Sequence, residues 1–77
     1  MVNSITYENA KTLRPGNQGY FNRSLHEGPK EWHSKTGSQT GWYHIQRVEV
    51  RSDNVLLDIG DGHNWSYTWF SNVRLSR

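Results

Sequence analysis

The residues best suited to chemistry in this sequence are its four histidines and two aspartates, Asp58 and Asp61. The histidines are His26, His33, His44 and His63. No two of them have the i,i+4 spacing of a helical zinc motif, and the chain has no cysteine to supply a thiolate. We therefore expect histidines that are solvated or locally hydrogen-bonded, and we predict neither a metal site nor another cofactor.

Hydrolytic chemistry is the second possibility, because Asp58 and Asp61 are close in sequence on either side of a glycine. No activated nucleophile accompanies them, and a chain of 77 residues rarely encloses the ~300 Å³ or more of a ligand pocket. A simpler interpretation makes Asp58 an outward strand residue and Asp61 a turn residue. We predict no catalytic residue and no enzyme activity. An enzyme would require a homo-oligomer that builds a shared pore.

Aromatic residues dominate the stretch HNWSYTWF, residues 63–70, in an otherwise polar chain. Aliphatic residues are sparse, so the aromatic side chains must supply much of the core. If the stretch is one strand, its side chains alternate between two faces. The two predicted rows are Trp65, Tyr67 and Trp69 on one face, and Ser66, Thr68 and Phe70 on the other. We expect one row to lie mostly in the core.

The second half of the chain is patterned as strands. In GWYHIQRVEVR the apolar residues change parity, which predicts a bulge or sharp bend near Gln46. VLLDI alternates as a strand, and the GDGHN that follows is typical of a hairpin turn. In the first half, RPGNQGYFN predicts a Pro-Gly turn leading into a strand at residues 19–21.

These elements predict one domain over residues 1–77. Residues 1–12 form an N-terminal arm or a short helical turn, and residues 23–41 form a long polar loop. The fold class is all-β, a small antiparallel barrel of about five strands with one long early loop.

The order of elements resembles an SH3-like barrel. LRPGNQGYF lies where such domains have an L-x-P-G-x-x-G opening strand, and WFSNVRL is similar to the single tight turn before their closing strand. VLLDIGDGHNWSYTWFSNVRL further resembles the ending of small bacteriophage-type proteins. The resemblance covers residues 13–75 except 23–41. It implies the fold and a viral accessory role, and it assigns no catalytic residue.

Location follows from what the sequence lacks. There is no signal-peptide pattern and no window of ~20 apolar residues, so we expect a cytoplasmic protein without membrane contact, in the host cytoplasm if it is viral. The net charge is only +2, and the basic residues of the first half are scattered rather than clustered.

A protein-binding module is the function that the composition favours. Interfaces are enriched in Trp, Tyr and Arg and depleted in Lys, and the chain has four Trp and six Arg but three Lys. Trp32 lies in GPKEWHSKTG, where no strand is predicted to bury it, so it either caps one end of the barrel or is an exposed anchor. The predicted partner-binding residues are Trp32, Trp42, Tyr43, Arg47, Arg51 and Trp65. The strand over residues 42–51, or the last strand, is a candidate edge for pairing with a partner.

The predicted partner is a host protein or protein complex that the domain inhibits or redirects. Single-stranded nucleic acid is the alternative, since aromatic rings can stack bases and arginines can hold phosphates. The residues available for this are Trp42, Tyr43, Trp65, Tyr67 and Trp69, with Arg47, Arg51 and Arg74 as cations. Against it, these arginines can instead pair with Glu49 and Asp58. The sequence leaves the oligomeric state open.

Overall fold

The computed structural model describes residues 4–25 and 38–75, and the regular structure in these ranges is mostly strand with little helix. The helix α1 covers Tyr7–Lys11, and single 3₁₀ turns cover Arg23–Leu25 and Tyr67–Trp69. The strands are β1 Gln18–Phe21, β2 Gly41–His44, β3 Arg47–Val50, β4 Val55–Asp58, β5 Trp65–Ser66 and β6 Phe70–Arg74. Most of the predicted long loop, with Trp32, His26 and His33, lies outside the described residues.

The strands form two small antiparallel sheets of three strands each. The first sheet has the order β2-β1-β6 and the second the order β3-β4-β5. The predicted all-β class is confirmed. Within the described ranges, no helix is long and apolar enough to cross a membrane.

A bend at Ile45 and Gln46 passes the chain from the first sheet to the second. The backbone N–H of Gln46 donates to the carbonyl of Asp58 at 2.6 Å, while Arg47 is the ladder partner of Asp58. Gln46 and Arg47 thus both lie opposite Asp58, as two residues lie opposite one in a β-bulge. The bend predicted near Gln46 is confirmed, and it lets Ile45, which is 1% exposed, reach the core.

The core lies between the two sheets. Its fully buried side chains are Phe21, Phe70, Ile45, Leu57 and Val55. The first residues of the chain that the structure describes contribute as well, because Ile5 and Ala10 are buried. The Thr6 hydroxyl caps α1 by accepting a hydrogen bond from the N–H of Asn9 at 3.1 Å. The predicted arm therefore includes a short capped helix that packs on the core.

The predicted hairpin between β4 and β5 is confirmed. Gly60 and Gly62 in its loop have φ of +92° and +83°, a backbone conformation that glycine adopts without steric cost. The Asp58 carboxylate accepts a hydrogen bond from the N–H of Gly60 at 2.8 Å, which stabilises the turn.

The prediction of two alternating rows over residues 65–70 is wrong. The chain leaves the strand after Ser66, whose hydroxyl caps the 3₁₀ turn Tyr67–Trp69. A serine hydroxyl that bonds to nearby backbone competes with a strand ladder in this way. As a result Trp65 and Phe70, which alternation would place on opposite faces, are both buried.

Candidate binding surface

The outer face of the first sheet carries the most prominent aromatic surface among the described residues. In β1 the buried residues are Gly19 and Phe21, so Gln18 and Tyr20 point away from the core. The antiparallel register places their neighbours on the same face. We call this set the outer face: Gln18, Tyr20, Trp42, His44, Asn72 and Arg74.

Three side chains of the outer face pack on one another. The rings of Tyr20 and Trp42 meet edge to face, with their centroids 5.4 Å apart. The guanidinium carbon of Arg74 lies 3.7 Å from the centroid of the Trp42 ring. Both rings are half-buried, and Arg74 is exposed. These contacts fix the aromatic side chains before any ligand arrives, which lowers the conformational entropy lost on binding.

The electrostatic character of the outer face is neutral to positive. Arg74 supplies a permanent charge, and His44 lies beside Gln18, with 3.5 Å between the ring Nε2 and the amide nitrogen. None of the six outer-face side chains is a carboxylate. A surface of this kind complements an acidic partner.

Tyr43 does not belong to this surface, although it is next to Trp42 in sequence. Consecutive strand residues point to opposite faces, and the ring of Tyr43 packs edge to face on Phe21 at 6.3 Å. Its hydroxyl donates to the carbonyl of Gln39 at 2.7 Å. Tyr43 therefore lines the inner side of β2.

Trp65 also lies inside and is only 5% exposed. Its ring centroid is 4.7 Å from that of Phe21 and 4.9 Å from that of Trp69. Phe21 further stacks on Trp69 at 5.7 Å and meets Phe70 at 5.5 Å. These four rings are the inner ring cluster, and Trp65 serves the core rather than acting as a surface anchor. Burying a ring of this size removes more apolar area from water than any aliphatic side chain can.

Asp61 holds the indole of Trp65 in place. Its Oδ2 accepts hydrogen bonds from the indole N–H at 2.8 Å and from the Ser38 hydroxyl at 2.5 Å, and its Oδ1 accepts from the N–H of His63. Partial burial raises the pKa of Asp61, but the hydrogen bonds from Ser38, Trp65 and His63 together outweigh it, so the pKa lies below its ordinary value. This carboxylate is a structural acceptor that joins residue 38 to the β4–β5 loop.

Arg47 begins β3 of the second sheet and Arg51 directly follows that strand, whereas Trp42 lies in β2 of the first sheet. The guanidinium of Arg47 contacts Asp58 across the strands at 3.5 Å, and that of Arg51 contacts Glu49 along the same strand at 2.6 Å. The Arg51–Glu49 pair is exposed on both sides, and ion pairs of this type contribute little to stability. An open cleft of about 290 Å³ lies beside them, lined by Arg47, Val48, Glu49, Leu56 and Asn64.

The predicted binding residues are thus divided among three places. Trp42 is on the outer face, Arg47 and Arg51 are on the second sheet, and Tyr43 and Trp65 line the interior. Trp32 lies outside the described residues. The predicted binding residues did not include Tyr20 and His44. Alternation along a strand nevertheless indicates that Tyr20 faces the opposite way from its neighbours Gly19 and Phe21.

In the described part of the chain, no three side chains of His, Cys, Asp or Glu come together as possible metal ligands. Comparison with protein-family models, with curated proteins and with solved structures gave no match.

Proposed function

We propose that this domain is a non-catalytic binding module that takes a protein partner on the outer face of the first sheet. The observation that carries the proposal is the packed group of Tyr20, Trp42 and Arg74. These are the residue types that most often act as energetic anchors at protein interfaces. Here they lie half-exposed on a rigid sheet rather than in a loop.

The chemistry of the partner follows from the charge of the outer face. Arg74 stacks one face of its guanidinium on Trp42, and its N–H groups lie around the rim of that plane, where they can donate to a carboxylate. Since the outer face has no carboxylate of its own, an acidic protein segment meets attraction without repulsion. We therefore expect a partner that presents Asp or Glu next to an apolar side chain.

The fold that we propose is an SH3-like barrel. Three features support it: β2 and β3 are halves of one bent strand shared by both sheets, a single 3₁₀ turn precedes the last strand, and β6 returns to pair with β1. If β2 and β3 are counted together, the strand number is five. With the phage-type resemblance of residues 55–75, the proposed role is that of an accessory protein that inhibits or redirects a protein or complex in the host cytoplasm.

Single-stranded nucleic acid is the second candidate, because half-exposed rings next to an arginine, on a face whose six defined side chains include no carboxylate, also suit bases and phosphates. The Trp42 ring already has Arg74 packed on it, so a base could stack there only by displacing the guanidinium. The other predicted phosphate ligands, Arg47 and Arg51, are paired with carboxylates on the second sheet. These contacts make a protein the better-supported partner.

The test uses three immobilised baits in a bacterial lysate: the wild-type protein, Arg74→Glu and the control Arg14→Glu. Arg14 is exposed and lies outside the outer face, and its substitution changes the net charge equally. We expect a protein that is captured by the wild type and by the control and lost with Arg74→Glu. The captured protein, once purified, should bind with the same pattern in solution.

Titration with a single-stranded oligothymidylate at low salt separates the two candidates. If the oligonucleotide quenches tryptophan fluorescence, dissociates steeply with salt and loses affinity with Arg74→Glu, nucleic acid is the ligand. If all three baits retain the same proteins, the outer face is not the binding surface.

A further inference from the structure

The edge of the second sheet is a separate surface, since β3 ends the order β3-β4-β5 and no described strand pairs with its other side. The N–H of Arg51 donates to the carbonyl of Asn54 at 2.7 Å. Bonded and non-bonded pairs alternate along an antiparallel ladder, so Glu49–Leu56 is the next bonded pair. The N–H and C=O groups of Val48 and Val50 therefore point away from β4, toward the open edge.

The side chains along this edge form the nearly symmetric sequence Arg47-Val48-Glu49-Val50-Arg51. Arg47, Glu49 and Arg51 are exposed, and Val50 keeps 51% of its surface exposed. Charges on an edge strand commonly prevent edge-to-edge pairing. If all the charges had the same sign, they would oppose pairing in every register. Because the charges here alternate in sign, they oppose pairing in some registers and favour it in others.

Two such strands, one from each copy, can pair antiparallel in different registers. With Glu49 opposite Glu49 of a second copy, like charges face each other at the closest cross-strand distance. With Val48 opposite Val48 of the second copy, each Arg47 lies opposite a Glu49, twice by symmetry, and all of these residues lie within β3. Centring the pair on Val50 would match Glu49 with Arg51 instead, but it would place residues 52 and 53, which form the turn after β3, opposite the strand. In the register centred on Val48, this residue forms a hydrogen-bonded pair with its symmetry mate, and the open cleft beside Arg47 and Glu49 leaves room for the second copy's side chains.

We propose that two copies of this chain pair through β3, antiparallel and with Val48 on the two-fold axis, to give a continuous sheet of six strands. The interface is isologous, so each contact occurs twice. The pairing involves only one short strand from each copy, which places the dimer in the weak and transient class. This inference uses neither Trp42 nor Arg74 and is independent of the proposed function.

The first test is sedimentation velocity over a wide range of protein concentration, with a charge-swap series. Glu49→Arg and Arg47→Glu should each weaken dimerisation roughly tenfold, because each replaces two attractive pairs by two repulsive ones. The double variant, Arg47→Glu with Glu49→Arg, restores unlike pairs across the two-fold axis and should dimerise more strongly than either single variant, even though it loses the Arg47–Asp58 and Arg51–Glu49 pairs within each copy. Arg14→Glu, with the same charge change as Arg47→Glu at a remote exposed position, should leave the dimer unchanged.

The second test removes one backbone donor at the open edge. Val50→Pro deletes an N–H that points away from β4, so the sheet within each copy keeps its hydrogen bonds while the partner loses one. Val50→Ala retains the N–H and is the matched control. Loss of the dimer with Val50→Pro only, with both variants folded by circular dichroism, supports the pairing. A wild-type protein that stays monomeric at all concentrations, or a double charge variant that fails to recover the dimer, overturns it.

Discussion

Tyr20 and Phe21 are neighbours in β1, yet they belong to two different aromatic groups, the outer face and the inner ring cluster. Phe21 is fully buried in the inner ring cluster with Trp65, Trp69 and Phe70, whereas Tyr20 is half-exposed beside Trp42 on the outer face. Both groups are held by ring-to-ring contacts at 4.7–5.7 Å. What separates them is the alternation of side chains along a strand, and in the outer group a cation, Arg74, lies on a ring.

The difference teaches how a polar chain of this size divides its aromatic residues. A small domain buries only about 60% of the surface its unfolded chain exposes, so its largest rings are needed in the core. The rings that remain at the surface contribute little to the core, so their position points to another role. This contrast is a stronger indication of a binding surface than aromatic content by itself.

The largest effect should come from truncating the centre of the inner ring cluster. Phe21→Ala removes a fully buried ring that contacts three other rings of the cluster, and we expect a loss of about 3–5 kcal/mol in the free energy of unfolding. Chemical denaturation followed by circular dichroism measures it. Tyr20→Ala, one residue away, should cost less than half as much. Equal losses for the two variants would abolish the distinction between the groups.

A smaller effect should come from adding volume beneath the inner ring cluster. A Cβ at Gly19 would lie 3.0 Å from a ring carbon of Phe70 and 3.3 Å from a methyl carbon of Ile45. Gly19→Ala should therefore destabilise the domain by about 1–3 kcal/mol. Gly41→Ala is the matched control in β2, because a Cβ there meets no atom within 4 Å. Thermal denaturation of the two variants should separate them clearly, and indistinguishable melting temperatures would contradict this account of β1 packing.

The third prediction concerns the carboxylate that anchors Trp65. Because the pKa of Asp61 is lowered in the folded protein, its stabilising effect is present above the pKa of the unfolded chain and is lost as pH falls through the folded pKa. Asp61→Asn should lower the free energy of unfolding by about 1 kcal/mol at neutral pH. In acid, where the wild type loses the contribution of this carboxylate, the variant should lose nothing further from position 61. Urea denaturation at neutral and acidic pH checks this. If the variant keeps the full acid sensitivity of the wild type, another group is responsible.

The smallest effect on stability should come from the outer face. Arg74→Ala removes the cation from the Trp42 ring and should cost about 0.5–1 kcal/mol. Arg14→Ala is the control, since Arg14 is exposed and makes its described hydrogen bond through the backbone N–H. Denaturation curves and the tryptophan emission maximum are the measurements. A loss of 3 kcal/mol or more would mean that Arg74 belongs to the core architecture rather than to a surface prepared for a partner.

Much of the second half was predictable because its signals are local. The parity change around Gln46 required a bend, and the glycines of GDGHN required a turn. The rows over residues 65–70 were not predictable from alternation, since a capping hydroxyl at Ser66 redirects the chain within one residue. Of the predicted binding residues in the described ranges, Trp42 is on the aromatic outer face, whereas Tyr43 and Trp65 line the interior.

The sequence by itself determined that this chain is an all-β domain with a bent central strand and a glycine hairpin, because dihedral preferences and side-chain alternation act between neighbouring residues. Only the tertiary structure decided which rings are core and which are surface. That choice depends on cross-strand register, which places Trp42 opposite Tyr20 and Arg74 opposite Gln18, residues that are 22 and 56 positions apart along the chain. A one-residue slip would turn every side chain of a strand to the opposite face, so the register is fixed only when one face of the sheet is buried against the rest of the domain.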